Sequence, residues 1–327
     1  MRPFTYSRAT SLDQAISESG HPHSAIMAGG TTLVDLMRGD LTGADQVIDI
    51  AHIPGLAEIE VEGETLRFGA LARMADVAEN TFLKHNYPAL VESLQLAASQ
   101  QIRNAATLGG NLLQRTRCVY FRDGVSDCNQ RTPGSGCAAL DGEDREMALF
   151  GTSDRCIATY PGDWGTALAA FDTTIEIASD SGRRVVDFAD FHTAYGEDPA
   201  RLSILRPGEI VTAILVKATP SGKRSTYIKV RDRQSYAYAL TSAAVALETD
   251  GETVIAARVA LGGVASKPWR AQAAEAVLIG RRLDEALAIE AGHAAFTDAK
   301  PLRHNQFKIE LGARTVARAA LVAKGKI

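Results

Sequence analysis

The chain has 327 residues, 46% of them hydrophobic and 23% charged, which is ordinary for a soluble globular protein and long enough for two or three domains with real cores. A formal net charge of -4 argues against a nucleic-acid binder, which needs a basic surplus to meet phosphates. The opening MRPFTYSRATSLDQAISESG carries no apolar signal core, and no run of about 18 apolar residues occurs that would insert into a membrane.

In chain order, Ser11 stands as an N-cap before LDQAISES, where Leu12, Ala15 and Ile16 share one helical face. SAIM (24–27) reads as a short buried strand running into Gly29-Gly30, TTLVDLMRGD (31–40) as a helix and DQVIDI (45–50) as a second strand, an α/β unit. LAEIEVEGETLRFGAL (56–71) predicts a hairpin turning at Glu62-Gly63-Glu64. MADVAENTFLKHNYPALVESLQLAAS (74–99) predicts two helices separated near Pro88. QIRNAATLGGNLL (101–113) leads into a cysteine-rich stretch, after which DWGTALAAFDTTIEIAS (163–179) returns to helix and then strand. ATPSGKR (218–224) marks a boundary. Beyond it STYIKVRDR (225–233), YAYALTSAAVALET (236–249) and TVIAARVALGGVA (253–265) alternate like antiparallel strands, and the chain from about Trp269 is mostly helical.

Three Gly-Gly pairs raise the question of a phosphate site. In MAGGTTL (27–33) a strand runs into Gly29-Gly30 and then Thr31 and Thr32 at a helix start, where bare backbone N–H groups and hydroxyls can converge on an anion. In TLGGNL (107–112), Thr107 and Asn111 flank Gly109-Gly110 in the same way, so that two loops would grip a pyrophosphate from both sides. The competing reading is that each pair is a tight turn. Gly262-Gly263, between strand-like pieces, reads as structural. GSGCAA (134–139) fits a dinucleotide fingerprint formally but follows a proline rather than a strand, no P-loop motif occurs, and His21 and His23 sit in a loop without metal-ligand spacing.

All four cysteines, Cys118, Cys128, Cys137 and Cys156, lie within one arginine-rich segment, without a C-x-x-C pair. The long gaps count against structural zinc, and a disulfide scaffold is out of place in a chain of this size without a secretion signal. An iron–sulfur cluster tolerates such spacing, and Arg115, Arg117, Arg122 and Arg131 would bring positive charge to its thiolates. A metal-free set of reduced thiols stays open on spacing alone.

Together MAGGTTL, IRNAATLGGNL, PGDWGTALAAFD, LRPGEIVTAI, YIKVRDRQSYAYAL and ALGGVASKPWR resemble the FAD-binding medium subunit of the xanthine dehydrogenase / carbon monoxide dehydrogenase family of molybdenum hydroxylases, along nearly the whole chain. The cysteine-bearing LLQRTRCVYF and PGSGCAAL resemble, more narrowly, the FAD subunit of bacterial periplasmic-type aldehyde oxidoreductases, in which four cysteines bind a 4Fe-4S cluster. The flavin subunit of 4-hydroxybenzoyl-CoA reductase, which also carries an extra cluster, is the nearest competitor.

The resemblance implies an α+β chain: a two-part FAD-binding domain of the vanillyl-alcohol-oxidase type with subdomains at 1–53 and 54–217, a cysteine-rich insertion at about 114–157, and a small C-terminal α+β domain at 218–327 with an antiparallel sheet. It implies that FAD lies along Ile26, Met27, Ala28, Gly29, Gly30, Thr31, Thr32 and Leu33 and against Thr107, Gly109, Gly110 and Asn111. It further implies that Asp163 contacts FAD, that Lys229 lies near the isoalloxazine, and that Cys118, Cys128, Cys137 and Cys156 are the cluster ligands. Without the resemblance, Lys229 and Arg231 would read as a solvated strand face.

The implied function is electron transfer from a large molybdenum-cofactor subunit and a small 2Fe-2S subunit, through FAD, to an external acceptor. No residue constellation suited to aldehyde chemistry stands out in the chain itself. A self-contained flavin oxidoreductase and a cluster-bearing redox sensor are the alternatives. The expected location is cytoplasmic, or periplasmic by export together with a signal-bearing partner.

Overall fold

The computed structural model describes residues 1–61 and 63–326, which form three sheets with helices packed on them. The first unit is a parallel sheet in the order β1-β3-β2, made of β1 (Thr5–Arg8), β2 (Ser24–Met27) and β3 (Gln46–Asp49), with α1 (Leu12–Ser19) and α2 (Leu33–Arg38) as crossovers. The Ser11 side chain accepts the Gln14 N–H at 3.2 Å and starts α1, whose Ala15 and Ile16 are buried against Ile48 and Ile50. The strand β1 has no counterpart in the sequence reading. TYSR sits on the sheet edge with its side chains largely exposed, so it shows no apolar alternation.

The second unit is an antiparallel sheet in the order β4-β5-β8-β6-β7, from β4 (Ile59–Glu60), β5 (Thr65–Gly69), β6 (Thr173–Ser179), β7 (Gly182–Asp187) and β8 (Ile210–Lys217). The expected hairpin is β4 paired with β5, although Glu62 of its turn lies outside the described residues. Between β5 and β6 run α3 (Met74–Glu79), α4 (Thr81–Asn86), α5 (Pro88–Gln95), α6 (Gln100–Ala105), α7 (Leu108–Leu112), α8 (Val119–Arg122) and α9 (Asp163–Leu168); α10 (Phe188–Phe191) follows β7.

The two helices expected around Pro88 are three. Asn80 ends α3 and its side chain accepts the Leu83 N–H at 3.0 Å, capping a new helix, while Pro88 opens α5, where its missing N–H costs nothing. Trp164 of α9 is fully buried and meets the Phe68 ring edge-on at 5.8 Å, tying α9 to the sheet.

The third unit is an antiparallel sheet in the order β12-β11-β10-β9, from β9 (Ser225–Val230), β10 (Thr241–Asp250), β11 (Thr253–Gly262) and β12 (Trp269–Arg270), covered by α11 (Gln272–Leu278), α12 (Glu285–Ala294) and α13 (Phe307–Lys324). β10 is buried on both faces. Ala244 and Ala246 face the core of the second unit, while Ala243, Val245 and Leu247 face the C-terminal helices. The small alanines let α5 and α9 approach the sheet, so the near-continuous apolar run of β10 is a two-sided strand. YAYAL (236–240) does not join it: β10 begins at Thr241, and those five residues form a strap outside the sheet.

Candidate functional site

A cavity of about 780 Å3 opens where the three units meet, within the size range of small-molecule and cofactor pockets. Thr31 and Thr32 reach it from the first unit, Gly110, Asn111 and Asp163 from the second, and Lys229 and the strap 236–240 from the third.

The two glycine loops prove unequal. The backbone N–H groups of Gly29, Gly30, Thr31 and Thr32 find no acceptor among the described residues, and Gly30 turns the loop in the left-handed region with φ +70°. Of these residues Thr31 and Thr32 line the cavity, so their N–H groups stand at its edge, free for an anion, with Gly29 and Gly30 just behind them. In the second loop the Leu108 and Gly109 N–H groups donate to the Ala72 and Ala70 carbonyls at 2.9 and 2.8 Å, and Asn111 N–H donates to the Thr107 carbonyl at 2.9 Å. Thr107 caps α7 by accepting the Gly110 N–H at 3.3 Å. What this loop presents is the bare surface of Gly110 and the buried Asn111 Oδ1, which has no hydrogen-bond partner among the described residues.

Several residues named with the loops stand behind the wall. A Cβ on Gly29 would come within 1.9 Å of the Ala105 carbonyl oxygen, so this glycine lets the first loop lie against the end of α6. Gly109 packs against Ala70 in the same manner. Ile26 and Ala28 pack on the first unit's core, while Met27 backs Gly30, and Leu33 begins α2. In the third pair Gly262 is structural, packed against Thr166 and Ser242, but Gly263, with φ +71°, lines the cavity.

Asp163 opens α9 and Lys229 projects from β9, and the two meet as a buried ion pair with Nζ 2.8 Å from Oδ2. Lys229 also donates to the Leu96 carbonyl at 3.1 Å, and the Tyr227 hydroxyl donates to Asp163 Oδ1 at 2.5 Å. Burial pushes the Asp163 carboxyl above its ordinary pKa, against the opposing pull of Lys229 and the Tyr227 hydrogen bond. Lys229 is therefore not on a solvated strand face; its side chain is 1% exposed.

Asp35 and the strap also reach the cavity and carry no signal in the sequence reading; Arg117 and Arg122, expected beside the cysteines, reach it too. Arg117 and Arg122 both pair with Asp35 of α2, and Arg117 stacks over the Tyr238 ring at 5.0 Å. Tyr236 holds φ +52°, a left-handed conformation unusual for a tyrosine.

The four thiols close around a second, small void of about 10 Å3. Cys128 and Cys137 face each other in a short antiparallel bridge, Cys118 precedes α8, and Cys156 arrives on the returning strand of chain. None is in a disulfide. The interaction between the neighbouring Cys137 and Cys156 thiols pulls the Cys137 pKa down to about 6 and, with burial, pushes Cys156 up, while burial lifts Cys118 to about 11. Gln130 Nε2 donates to Cys156 Sγ at 3.4 Å.

Of the four arginines, Arg115 and Arg131 serve this loop. Arg115 lies over the Phe121 ring at 5.0 Å and donates to the Gln130 carbonyl at 3.0 Å, and Arg131 donates to the Tyr120 and Phe121 carbonyls at 2.9 and 2.8 Å. Arg117 and Arg122 turn instead to the large cavity. Among the described residues no three of His, Cys, Asp and Glu stand close enough to ligate a single metal ion. Four soft sulfur donors around one void nevertheless match the donor set of an iron–sulfur centre.

An anion-ready loop and a dinucleotide-sized cavity between a parallel unit and two antiparallel sheets define a flavin-binding oxidoreductase subunit. Residues 2–217 match the FAD binding domain in molybdopterin dehydrogenase, and residues 226–323 match the CO dehydrogenase flavoprotein C-terminal domain. The chain belongs to the FAD-binding medium subunits of the xanthine dehydrogenase / carbon monoxide dehydrogenase family.

It is 42% identical to the aldehyde oxidoreductase FAD-binding subunit PaoB of Escherichia coli, over 100% of both chains. It is 27% identical to the carbon monoxide dehydrogenase medium chain of Afipia carboxidovorans, over 87% of this chain and 80% of that one. The reconstituted CO dehydrogenase from Oligotropha carboxidovorans has a chain that superposes with a TM-score of 0.79 at 23% identity, over 100% of both chains, a likeness of fold.

Proposed function

We propose that this chain is the FAD- and 4Fe-4S-containing electron-transfer subunit of a molybdenum-dependent aldehyde oxidoreductase. The observation that carries the reading is full-length similarity to an aldehyde oxidoreductase FAD-binding subunit in a chain whose four cysteines converge beside the flavin cavity. FAD, when bound, supplies the redox chemistry. The chain's own residues supply its seat: the free N–H groups of Gly29 to Thr32 meet the pyrophosphate, Gly110 allows close backbone approach, and the Asp163–Lys229 pair fixes the wall opposite.

Cys118, Cys128, Cys137 and Cys156 are the ligands of one 4Fe-4S cluster, and holding it requires the four thiols to open outward from the small void they now enclose. A large subunit with the molybdenum cofactor and a small 2Fe-2S subunit deliver electrons to this chain, which hands them to an external acceptor. Purification of the native complex with flavin and iron analysis tests all of this. Acid should release one FAD per chain, and about four irons and four acid-labile sulfides should remain after subtracting the small partner's clusters. A preparation without flavin sinks the reading; one with only the small partner's iron removes the cluster from it.

A further inference from the structure

Lys308, in the first turn of α13, is wholly buried, yet no carboxylate lies within ion-pair distance of it among the described residues. Its ammonium donates three hydrogen bonds to main-chain carbonyls instead: Glu146 at 3.0 Å, Met147 at 3.1 Å and Gly263 at 2.9 Å. Three donors meet three acceptors, the full capacity of the group. A neutral amine would turn a lone pair toward one of those oxygens, so the set favours the charged form. Burial nevertheless pulls its pKa down to about 7, with the Glu146 charge opposing that fall and Arg145 adding to it.

The acceptors come from two separate segments, the part of the cysteine-rich stretch between Cys137 and Cys156 and the turn after β11, and all three residues line the flavin cavity. Sheet register places Gly263 near Lys229. Gly262 pairs with Ser242 on β10, and Ser242 pairs with Lys229 on β9. Gly263 thus follows a row across three adjacent strands, which spans about 10 Å at roughly 4.8 Å per strand. Lys229 is paired with Asp163, Arg117 and Arg122 share Asp35, Asp232 pairs with Arg145, and Arg233 and Glu146 add one charge of each sign to the cavity lining. Lys308 has no such partner. A methionine would fill a similar volume without the desolvation penalty, so the charge calls for a reason.

We infer that Lys308 is a positioning residue that sets a positive charge directly behind the flavin cavity wall, where no carboxylate pairs with it, and that this charge, in the fraction of chains that carry it, raises the FAD potential by stabilising the negative charge of reduced flavin. The inference rests on FAD occupying this cavity. The clamp on 146, 147 and 263 holds the wall in place, and the charge acts through it.

The test uses the assembled complex and two readouts, FAD content per chain and the flavin midpoint potential from a spectroelectrochemical titration. Lys308→Gln keeps N–H donors and removes the charge. It should retain FAD, and its potential should move to a more negative value than the wild type. An unchanged or more positive potential at full FAD content would reduce Lys308 to a cross-link and overturn the inference. If the glutamine variant does not assemble, Lys308→Met, neutral and of similar length, is read by the same two outcomes. A wild-type complex without FAD would be a different failure, that of the flavin assignment itself.

Discussion

Breaking the Asp163–Lys229 pair from one side should cost far more than removing it whole. Both side chains are almost inaccessible, 5% and 1% exposed, and the pair is joined at 2.8 Å. Lys229→Met leaves the Asp163 carboxylate with the Tyr227 hydroxyl alone, and Asp163→Leu leaves the Lys229 ammonium with the Leu96 carbonyl alone. An uncompensated charge at such depth costs about 3–5 kcal/mol, whereas well-packed apolar replacements for both partners are often near neutral. At roughly 2–4 °C per kcal/mol, each single variant should unfold on the order of 10 °C below the wild type. The double variant should recover most of that loss. Urea unfolding and thermal melts of the four proteins, all at the same free FAD concentration so that ligand linkage is held fixed, make the comparison. Single variants within about 1 kcal/mol of wild type, or a double variant as unstable as the sum of the singles, would refute the reasoning.

Gly30→Val places a β-branched residue at φ +70°, a strain of roughly 1–2 kcal/mol beside the free N–H groups, and should abolish FAD retention with most of the far-UV circular dichroism intact; full flavin occupancy would contradict the first loop's role. Cys128→Ser should lose the iron and sulfide of the proposed cluster while FAD stays, as read by metal analysis and flavin absorbance, because Cys128 does not border the flavin cavity. Burial lowers the His192 pKa from 6.5 to about 4, so its contribution to stability is complete above pH 6.5 and is lost as pH falls toward 4. The acid loss is about 3 kcal/mol. The fall in unfolding midpoint over that window should be shallower in His192→Phe; parallel pH profiles would exclude His192 as its source.

Elements with a local physical cause could be read in advance. Ser11 caps the helix it precedes, and the strand-like runs of β9 to β11, separated by short connections, do pair as an antiparallel sheet. Features that depend on distant partners could not. The second glycine loop looks like a donor loop in sequence, but its amides are taken up by the carbonyls of Ala70 and Ala72, from a different turn of the chain. Arg117 and Arg122 sit among the cysteines and were assigned to them, yet their partner is Asp35, more than eighty residues earlier. Lys308 in FKIELGARTV has the look of an exposed helix lysine; its burial depends on carbonyls about 160 and 45 residues away. Cysteine spacing left a cluster and loose thiols equally open, and only the folded loop draws all four onto one void.

Cys118 borders both the small void and the large cavity, whereas Cys128, Cys137 and Cys156 border the void alone. The partition between the two compartments is, at that point, a single side chain thick. Bulk added to this sulfur intrudes on both spaces at once, while the same bulk on the other three stays within one. A change at Cys118 is therefore felt on both sides of the wall, so that replacing it by a bulkier residue should disturb the flavin seat as well as the thiol void, while the same replacement at the other three should spare the larger chamber.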